Sequence, residues 1–281
     1  MKFGANTFIW VSPFTSKDID IIYKVKDLGF DEVEIALEDL SLIDLKKIKK
    51  ALDSTGLECT MCGAFGPTRD LISQDPSIRE NAKKYITDCI SACSELRSHL
   101  FAGPVYSAVG KTRLIKEEQK RKEWNLCVES LRGLSHFAQK RGVVIAVEPL
   151  NRFETDFINL AHDAVRLMEE VNSSSLKVLL DTFHMNIEEK SLGQAIRNAG
   201  RYLYHFHASE NDRGTPGSGH IPWQEVAAAI KDIGYDRYMV IESFTPGVKE
   251  IAKAASIWRK LEVDQDTLAR EGLTFLKNLF R

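Results

Sequence analysis

The sequence predicts a single closed (β/α)8 barrel that spans residues 1–281 and carries an additional C-terminal helix. Three observations predict this fold. Eight short apolar runs rich in β-forming residues alternate with segments of helical periodicity, which implies a parallel sheet with crossover helices. Glycines follow several helical segments directly before the next strand, where helices commonly end. No linker or shift in composition divides the 281 residues, a length that suits one barrel.

The predicted strands are the short β-rich runs. In chain order they cover Lys2 to Phe8, Glu32 to Leu37, Glu58 to Cys62, Leu100 to Ala102, Val143 to Val147, Lys177 to Leu180, Tyr202 to Phe206 and Tyr238 to Ile241.

The connections between these strands are predicted helices. In the first connection, an apolar face with helical spacing precedes Gly29 and is formed by Ile19, Ile22, Val25 and Leu28. The longest connections follow the third and fourth strands, at residues 68–96 and 104–139, and we expect them to carry extra helical or lid elements.

The chain continues well past the eighth predicted strand. Apolar residues recur from residue 248 to 281 with enough periodicity for one or two closing helices, at positions that include Ile251, Ala254, Ile257, Trp258, Leu268 and Leu273.

The charge balance favours a small soluble substrate. The formal net charge is −2 and the pI is near 6.4, so the chain lacks the basic footprint of a protein that binds nucleic acid or an anionic membrane. Its N-terminus has no apolar signal region, and no window approaches about 18 consecutive apolar residues. We therefore expect a cytoplasmic protein.

The cysteines indicate reduced thiols. Five are present, an odd number in a chain without a secretion signal, so a disulfide framework is not expected. Cys59 and Cys62 form a C-x-x-C, but three residues along a strand point their side chains to opposite faces, which argues against a zinc or redox site.

Ionisable side chains end four of the later predicted strands, in the order Glu148, Asp181, His207 and Glu242. Catalytic residues of a barrel come from the C-terminal ends of several strands, so these side chains are expected to share one site. A lone strand-end Glu is more often paired or solvated. Three carboxylates and one imidazole together suit a divalent ion such as Mn²⁺, Co²⁺ or Mg²⁺.

Two histidines of the seventh strand compete for the ligand position. His205 and His207 are two residues apart and face the same side of a strand, so periodicity does not decide which one binds the ion. His207 is nearer the C-terminal rim. If His207 binds the ion, His205 either supports the site or has a purely structural role.

Further polar residues lead out of three of these strands into their loops. They are Glu154, His184 and Arg213, and over a metal they could bind the hydroxyls of a polyol. Solvated loop residues are the alternative interpretation.

The motifs around these residues resemble one family. The segments VEPLNRFE, LLDTFHMNIEE, HFHASENDRGTPGSGHIPW and VIESF are similar to those of the D-tagatose 3-epimerase family, which includes D-psicose (D-allulose) and L-ribulose 3-epimerases within the xylose-isomerase-like barrels. The similarity is strong from Val143 to Phe244 and weaker in the first half, at GFDEVEIAL and LFAG.

The resemblance implies a barrel that interconverts free ketoses differing at C3, with manganese, or else cobalt or magnesium, bound. The positions that match the family's metal ligands are Glu148, Asp181, His207 and Glu242, and the first and last of these also match its two acid/base carboxylates. The positions that match residues holding the O1 to O3 end of the sugar are Glu154, His184 and Arg213. The family also implies a homodimer or homotetramer.

Some positions depart from the family pattern and put the substrate preference in doubt. Asn6 stands where many relatives have an aromatic residue, and Val109 and Gly110 stand where several have Trp-Pro. These positions help to shape the pocket around C4 to C6. Trp10 and Phe244 are expected to supply apolar walls there, with core packing as the alternative.

Three other functions are weighed against a ketose 3-epimerase. An aldose–ketose isomerase of the same superfamily, of the hydroxypyruvate- or rhamnose-isomerase type, would move protons between C1 and C2 over a similar ion. A metal-dependent barrel nuclease would need more His and Asp ligands and a basic face. A non-catalytic sugar-binding protein would have no use for two carboxylates aimed at one carbon.

Overall fold

Eight parallel strands close into a barrel in the computed structural model, which describes residues 1–244, 247 and 256–281. The strands are β1 Lys2–Asn6, β2 Glu32–Leu37, β3 Glu58–Gly63, β4 Leu100–Gly103, β5 Val144–Val147, β6 Leu176–Asp181, β7 Leu203–Ala208 and β8 Tyr238–Ile241. They follow one another around the barrel in chain order, and β8 pairs with β1 from Lys2–Tyr238 to Ala5–Ile241. The predicted fold class is confirmed.

Helices pack around the outside of this sheet. They are α1 Asp20–Asp27, α2 Leu45–Thr55, α3 Pro76–Glu95, α4 Glu117–Gln139, α5 Ala161–Val171, α6 Thr182–Glu188, α7 Leu192–Ala199, α8 Trp223–Asp232 and α9 Gln265–Leu279. The last of them is the predicted C-terminal helix. The predicted helical positions Ile251 and Ala254 lie outside the described residues.

The extra helix lies elsewhere than expected. The connections after β3 and β4 each hold one long helix, α3 or α4, preceded by an irregular segment at residues 64–75 or 104–116. Among the described connections, the one after β6 contains two helices. The first, α6, ends at Glu188, and Ser191 caps the second, α7, by accepting a hydrogen bond from the Gln194 amide. The long connections were predicted from length alone, and length does not distinguish one long helix from two short ones.

Local signals in the sequence fix the helix ends. The Asp44 side chain caps the start of α2 by accepting hydrogen bonds from the backbone amides of Lys46 and Lys47. Gly56 ends the helix in a left-handed conformation with φ +65°. Asp75 caps α3, and Pro76 follows at its first position, where no amide hydrogen is needed. These signals are local, which is why the sequence reveals them.

The two faces of the sheet differ in chemistry. Val33 and Ile35 of β2 point outward into the core under the helices, whereas Glu32 and Glu34 alternate with them and are fully buried. Gly4 of β1 leaves room for this arrangement, since a Cβ at this position would overlap the Glu32 carboxylate. The interior of the barrel therefore holds ionisable groups below its C-terminal end.

The thiols are consistent with the expected reduced state. Cys59 belongs to the core under the helices, while Cys62 packs with Phe8 and Ala36 at the inner side, so the two point to opposite faces as predicted. All five cysteines are free and buried. In the part of the chain that is described, no helix has the length and apolarity needed to cross a membrane.

Candidate metal centre and active site

Four buried side chains meet at the C-terminal end of the barrel. Glu148 follows β5, Asp181 ends β6, His207 lies in β7 and Glu242 follows β8, and each offers an atom within 4.8 Å of the others. The His207 Nδ1 atom is 3.9 Å from Glu148 Oε1, 4.0 Å from Asp181 Oδ2 and 3.5 Å from Glu242 Oε2. Ligands about 2.1 Å from one ion are separated by up to roughly 4 Å, so the four fit a divalent cation.

Unpaired atoms support this fit. Among the described residues, Glu148 Oε1 and His207 Nδ1 are buried without a hydrogen-bond partner, and both face the group of four. Buried polar atoms are normally paired, because an unpaired one costs about 1–3 kcal/mol. A cation between these atoms would satisfy both.

Glu34 orients the imidazole of this group. His207 Nε2 lies 2.8 Å from Glu34 Oε1, and His205 Nε2 lies 2.7 Å from Glu34 Oε2. Since an ionised carboxylate only accepts, both histidines donate to it from Nε2, and Nδ1 is the His207 nitrogen that faces the group of four. The geometry places His207 in the candidate ion site and His205 below it, which favours His207 as the proposed ligand.

Two further donors complete the surroundings of Glu34. Asn6 Nδ2 donates to Oε1 at 2.8 Å, and Thr60 Oγ1 lies 3.1 Å from Oε2. Thr60 also contacts the Glu32 carboxyl, whose pKa is raised well above its usual range by burial and by the charge of Glu34. A protonated Glu32 can donate to Thr60, which then donates to Glu34. Burial alone would raise the pKa of Glu34, but the two histidines hold it well below its usual range.

Glu34, His205 and His207 also satisfy the spacing of a metal site by themselves. Their facing atoms are already joined by hydrogen bonds of 2.7 and 2.8 Å, so no space remains for an ion between them. We describe them as a hydrogen-bonded triad that supports the group of four.

Arg213 lies over the carboxylates. Its Nη1 donates to Asp181 Oδ2 at 2.5 Å and to Glu242 Oε2 at 3.0 Å, and its guanidinium lies 4.1 Å from the centre of the Phe183 ring. The residue is 4% exposed and adopts φ 66°, a left-handed conformation uncommon outside glycine. Strain of this kind is retained where the surrounding contacts determine it, often at functional sites.

His184 is a neutral donor at the same place. Its Nδ1 accepts from the Asn151 amide at 3.1 Å, so the proton lies on Nε2, which faces Glu148 Oε1 at 3.7 Å and Arg213 Nη2 at 3.2 Å. Burial, with the charge of Arg213, lowers the pKa of His184 to about 3. His184 Nε2 and the Arg213 guanidinium both donate hydrogen bonds, so a substrate oxygen that lies close to both could accept from both.

The remaining predicted polar residue, Glu154, is half-buried next to this pair. Asn151 Nδ2 donates to its Oε1 at 2.8 Å. Burial raises the pKa of Glu154, while Arg213 opposes the shift.

The two glutamates of the group have opposed electrostatics. Burial and the charge of Glu242 raise the pKa of Glu148 well above its usual range. Burial would also raise the pKa of Glu242, but the charges of His207 and Arg213 outweigh it and lower this pKa to about 2. Two carboxyls in one site whose pKa values are moved apart are suited to acid and base roles.

A cavity of about 450 Å³ opens above these residues. Five of its lining residues carry the polar chemistry described so far, and these are Glu148, Glu154, His184, Arg213 and Glu242. Apolar walls come from aromatic side chains that include Phe8, Phe65, Phe153 and Phe244. Asp181 and His207 lie beneath this surface, 1% exposed.

The predicted pocket walls lie in different places. Phe244 lines the cavity and packs on Phe8, with ring centres 5.3 Å apart. Trp10 is not among the lining residues, and its indole N–H donates to Asp266 of α9 at 2.6 Å. Asn6 is also outside the lining and is fully buried against Glu34. The expectation of a pocket wall at Trp10 and Asn6 has no contact to support it, because barrel closure turns one towards α9 and the other into the interior.

Some residues of this site were not found in the sequence. Glu34 had a usable signal, since Glu32 and Glu34 alternate within an otherwise apolar strand and must face the barrel interior. Asn151, which orients both His184 and Glu154, lies in a loop and had no comparable signal.

Comparisons with known proteins agree with the closed barrel fold. The model of the xylose isomerase-like TIM barrel family matches residues 22–279. A D-psicose 3-epimerase from Ruminiclostridium cellulolyticum is 38% identical over 278 residues, covering 96% of this chain and 94% of that protein. A D-psicose 3-epimerase from Agrobacterium fabrum is 34% identical, with 98% of both chains covered. The solved structure of an L-ribulose 3-epimerase is similar with a TM-score of 0.94 at 26% identity, covering 99% of this chain and 94% of the other.

Proposed function

The chain belongs to the xylose isomerase-like TIM barrel family, and from this premise we propose that it is a metal-dependent ketose 3-epimerase. Its substrates would be free ketoses that differ at C3, as in the pairs D-fructose/D-allulose, D-tagatose/D-sorbose and L-ribulose/L-xylulose. The observation that carries the proposal is the pair Glu148 and Glu242, two carboxyls of opposed pKa that flank one candidate ion site in a polyol-sized cavity. The relatives named as D-psicose 3-epimerases support it.

The proposed metal ligands are Glu148, Asp181, His207 and Glu242. A bound divalent ion, which we propose to be Mn²⁺ with Co²⁺ or Mg²⁺ as alternatives, would polarise the C2 carbonyl oxygen and so acidify the proton at C3. The oxygen-rich donor set favours these hard ions over a closed zinc site of the Cys/His kind.

Glu148 and Glu242 are the proposed acid/base pair. Inversion at C3 requires one group to remove the proton and a second to return a proton to the opposite face of the resulting enediolate. Their strands are separated around the barrel by β6 and β7, which lets the two carboxyls approach the sugar from different sides. The carboxyl that acts as base for one epimer acts as acid for the other.

Glu154, His184 and Arg213 are proposed to hold the O1 to O3 end of the sugar. His184 Nε2 and Arg213 Nη2 lie 3.2 Å apart as adjacent donors, suited to an oxygen that gains negative charge during the reaction. Glu154 can accept a hydrogen bond from a hydroxyl beside them. Phe244 is proposed to form an apolar wall against the remaining carbons of the sugar.

The proposed function is tested by locating the sugar carbon that takes up deuterium from the solvent. The metal-loaded protein is incubated in deuterated water with D-fructose, D-tagatose or L-ribulose, and the label is placed by NMR. Deuterium at C3 with formation of the epimeric ketose is the expected result. Label at C1 or C2 with formation of an aldose would replace the proposal with the aldose–ketose isomerase.

A homodimer or homotetramer in the cytoplasm completes the proposal. Both expectations rest on the sequence and the family resemblance, and light scattering after gel filtration measures the assembly directly.

A further inference from the structure

One part of the cavity has no role in the proposed reaction. Beyond the metal centre, its wall is formed by residues that follow β1 to β4, and most of them are apolar or glycine. Among the described lining residues, Glu38 is the one carboxylate outside the set assigned above, and Ser12 lies beside it. A carboxylate in an apolar wall is costly unless it has a partner or a ligand.

Barrel closure puts Glu38 opposite the sugar-binding residues. The strands follow the order β1 to β8 in a closed ring, so β2 faces β6 across the barrel. Glu38 comes directly after β2, while Asp181 and His184 mark the end of β6. A ketose held by its O1 to O3 end near β6 would therefore extend its other end towards Glu38.

The Glu38 carboxylate has acceptor capacity to spare. Ser12 Oγ is 2.8 Å from both carboxylate oxygens, but a hydroxyl has one proton and can satisfy only one of them at a time. The nearby Arg69 is used elsewhere, since it donates to the backbone oxygens of Ala64 and Glu38 and stacks 3.7 Å from the Tyr85 ring centre. Among the described residues no cation lies within 4.0 Å of this carboxylate, although the charge of Arg69 acts on it from further away. Burial raises the pKa of Glu38, while the hydrogen bond from Ser12 and the charge of Arg69 oppose this shift.

The wall near Glu38 also has room. Gly66 and Gly110 line the cavity, and apart from each glycine and its chain neighbours no described atom lies within 4 Å of the position that a Cβ would take there. Val109 is the neighbouring side chain on the β4 side. The absence of side chains at these two glycines leaves the same cavity that Glu38 lines open at these positions.

We propose that Glu38, oriented by Ser12, accepts a hydrogen bond from the terminal hydroxyl of a neutral ketose and repels a ketose that ends in phosphate. The inference rests on the proposed function, because the orientation of the sugar follows from it. A carboxylate favours a hydroxyl donor through a charge-assisted hydrogen bond, and it disfavours a phosphate through like-charge repulsion in a partly desolvated site.

The test compares D-fructose, 6-deoxy-D-fructose and D-fructose 6-phosphate. In the unaltered protein, both altered sugars are expected to bind about tenfold or more weakly than D-fructose, the typical cost of a lost charge-assisted hydrogen bond. Glu38→Gln keeps an acceptor but removes the charge, so the ratio of dissociation constants for the 6-phosphate and D-fructose should fall about tenfold. Glu38→Ala should remove the preference for D-fructose over its 6-deoxy analogue.

Asp39→Asn is the matched control. It removes the same charge one residue away, at an exposed position outside the cavity lining, and should leave both ratios unchanged. Dissociation constants from calorimetry are measured beside deuterium exchange at C3, so the two proposals can fail separately. Unchanged ratios in Glu38→Gln and Glu38→Ala would overturn the role of Glu38 while C3 exchange still supports the epimerase. Changed ratios without C3 exchange would support the subsite and reject the epimerase.

Discussion

Glu148 and Glu242 share one candidate ion site but differ in their local electrostatics. The first has its pKa raised mainly by burial, and the second is held at about 2 by His207 and Arg213 against the effect of burial. The opposed directions of these two shifts suit the pair to acid and base roles on the two faces of one carbon.

Replacing either carboxyl with its amide should stop the reaction. Glu148→Gln and Glu242→Gln each keep the side-chain shape but cannot carry the proton, so turnover should fall by about 10²–10⁴ or more under saturating metal. C3 deuterium exchange measures the loss, and far-UV circular dichroism checks that the fold survives. Glu95→Gln, at an exposed helix position, is the control and should keep full activity. Near-normal exchange in either active-site variant would reject the assignment.

Glu34 shows how a residue without contact to the sugar can control the site. It accepts from both His205 and His207 and so decides which nitrogen of His207 faces the ion site. Glu34→Gln offers one acceptor oxygen and a donor amide in place of two acceptor oxygens, so one histidine must change its proton position or lose its partner. The affinity for Mn²⁺, measured by calorimetry, should fall by about 10–100-fold.

Glu32→Gln is the matched control for this prediction. Burial and Glu34 raise the pKa of Glu32 well above its usual range, which favours the neutral carboxyl, and an amide is the closest replacement for that form. If Glu32→Gln weakened Mn²⁺ binding as much as Glu34→Gln, the effect would come from general disturbance of the barrel interior.

At the scale of elements, the segment between β4 and α4 is fixed by one arginine. Arg113 makes a bidentate pair with Glu123 of α4, with both contacts at 2.8 Å, and a second pair with Asp156 at 2.9 Å. Lys111 adds a contact to Asp70 at 2.7 Å. These pairs hold the loop that carries Val109 and therefore the β4 side of the cavity.

Glu123→Gln should lower the free energy of unfolding by about 1 kcal/mol at pH 7, since Arg113 is 33% exposed and water screens part of the pairing. Arg113 and Gln119 lower the pKa of Glu123 against the effect of burial. A lowered folded-state pKa gives stability that is complete above the unfolded value of 4.5 and is lost as pH falls through the folded value. The difference between the two proteins should therefore shrink below about pH 4.5.

Urea unfolding at several pH values measures this difference. Glu118→Gln is the control on the same helix, because its pair with Lys122 is exposed on both sides and should contribute little. A difference that grew as pH fell would contradict the assigned pairing.

At the scale of the whole molecule, ion binding should be linked to folding. The four proposed ligands come from the ends of four different strands and meet only in the closed barrel. An ion that binds the folded state alone, at about 100 times its dissociation constant, adds about 2.7 kcal/mol of stability. Mn²⁺ should raise the unfolding temperature by roughly 5 °C in differential scanning calorimetry.

His207→Ala should abolish this increase. His162→Ala should keep it, since that side chain is 77% exposed and is not one of the four proposed ligands. An equal shift in both variants would place the stabilising ion elsewhere.

The sequence by itself determined the barrel and the four strand-end side chains. Helical and strand periodicity are local properties, and the C-terminal ends of parallel strands must converge, so Glu148, Asp181, His207 and Glu242 could be grouped without coordinates. The family match and the closed eight-stranded sheet confirm the fold and the recognised resemblance.

Only the tertiary structure decided which side chains support that group. Glu34 and His207 are 173 residues apart and pair because the barrel closes, while Trp10 turns to Asp266 of α9, 256 residues away. The same closure puts Glu38 across the cavity from the end of β6. Such contacts depend on the stagger and closure of the whole sheet, which no local pattern of residues encodes.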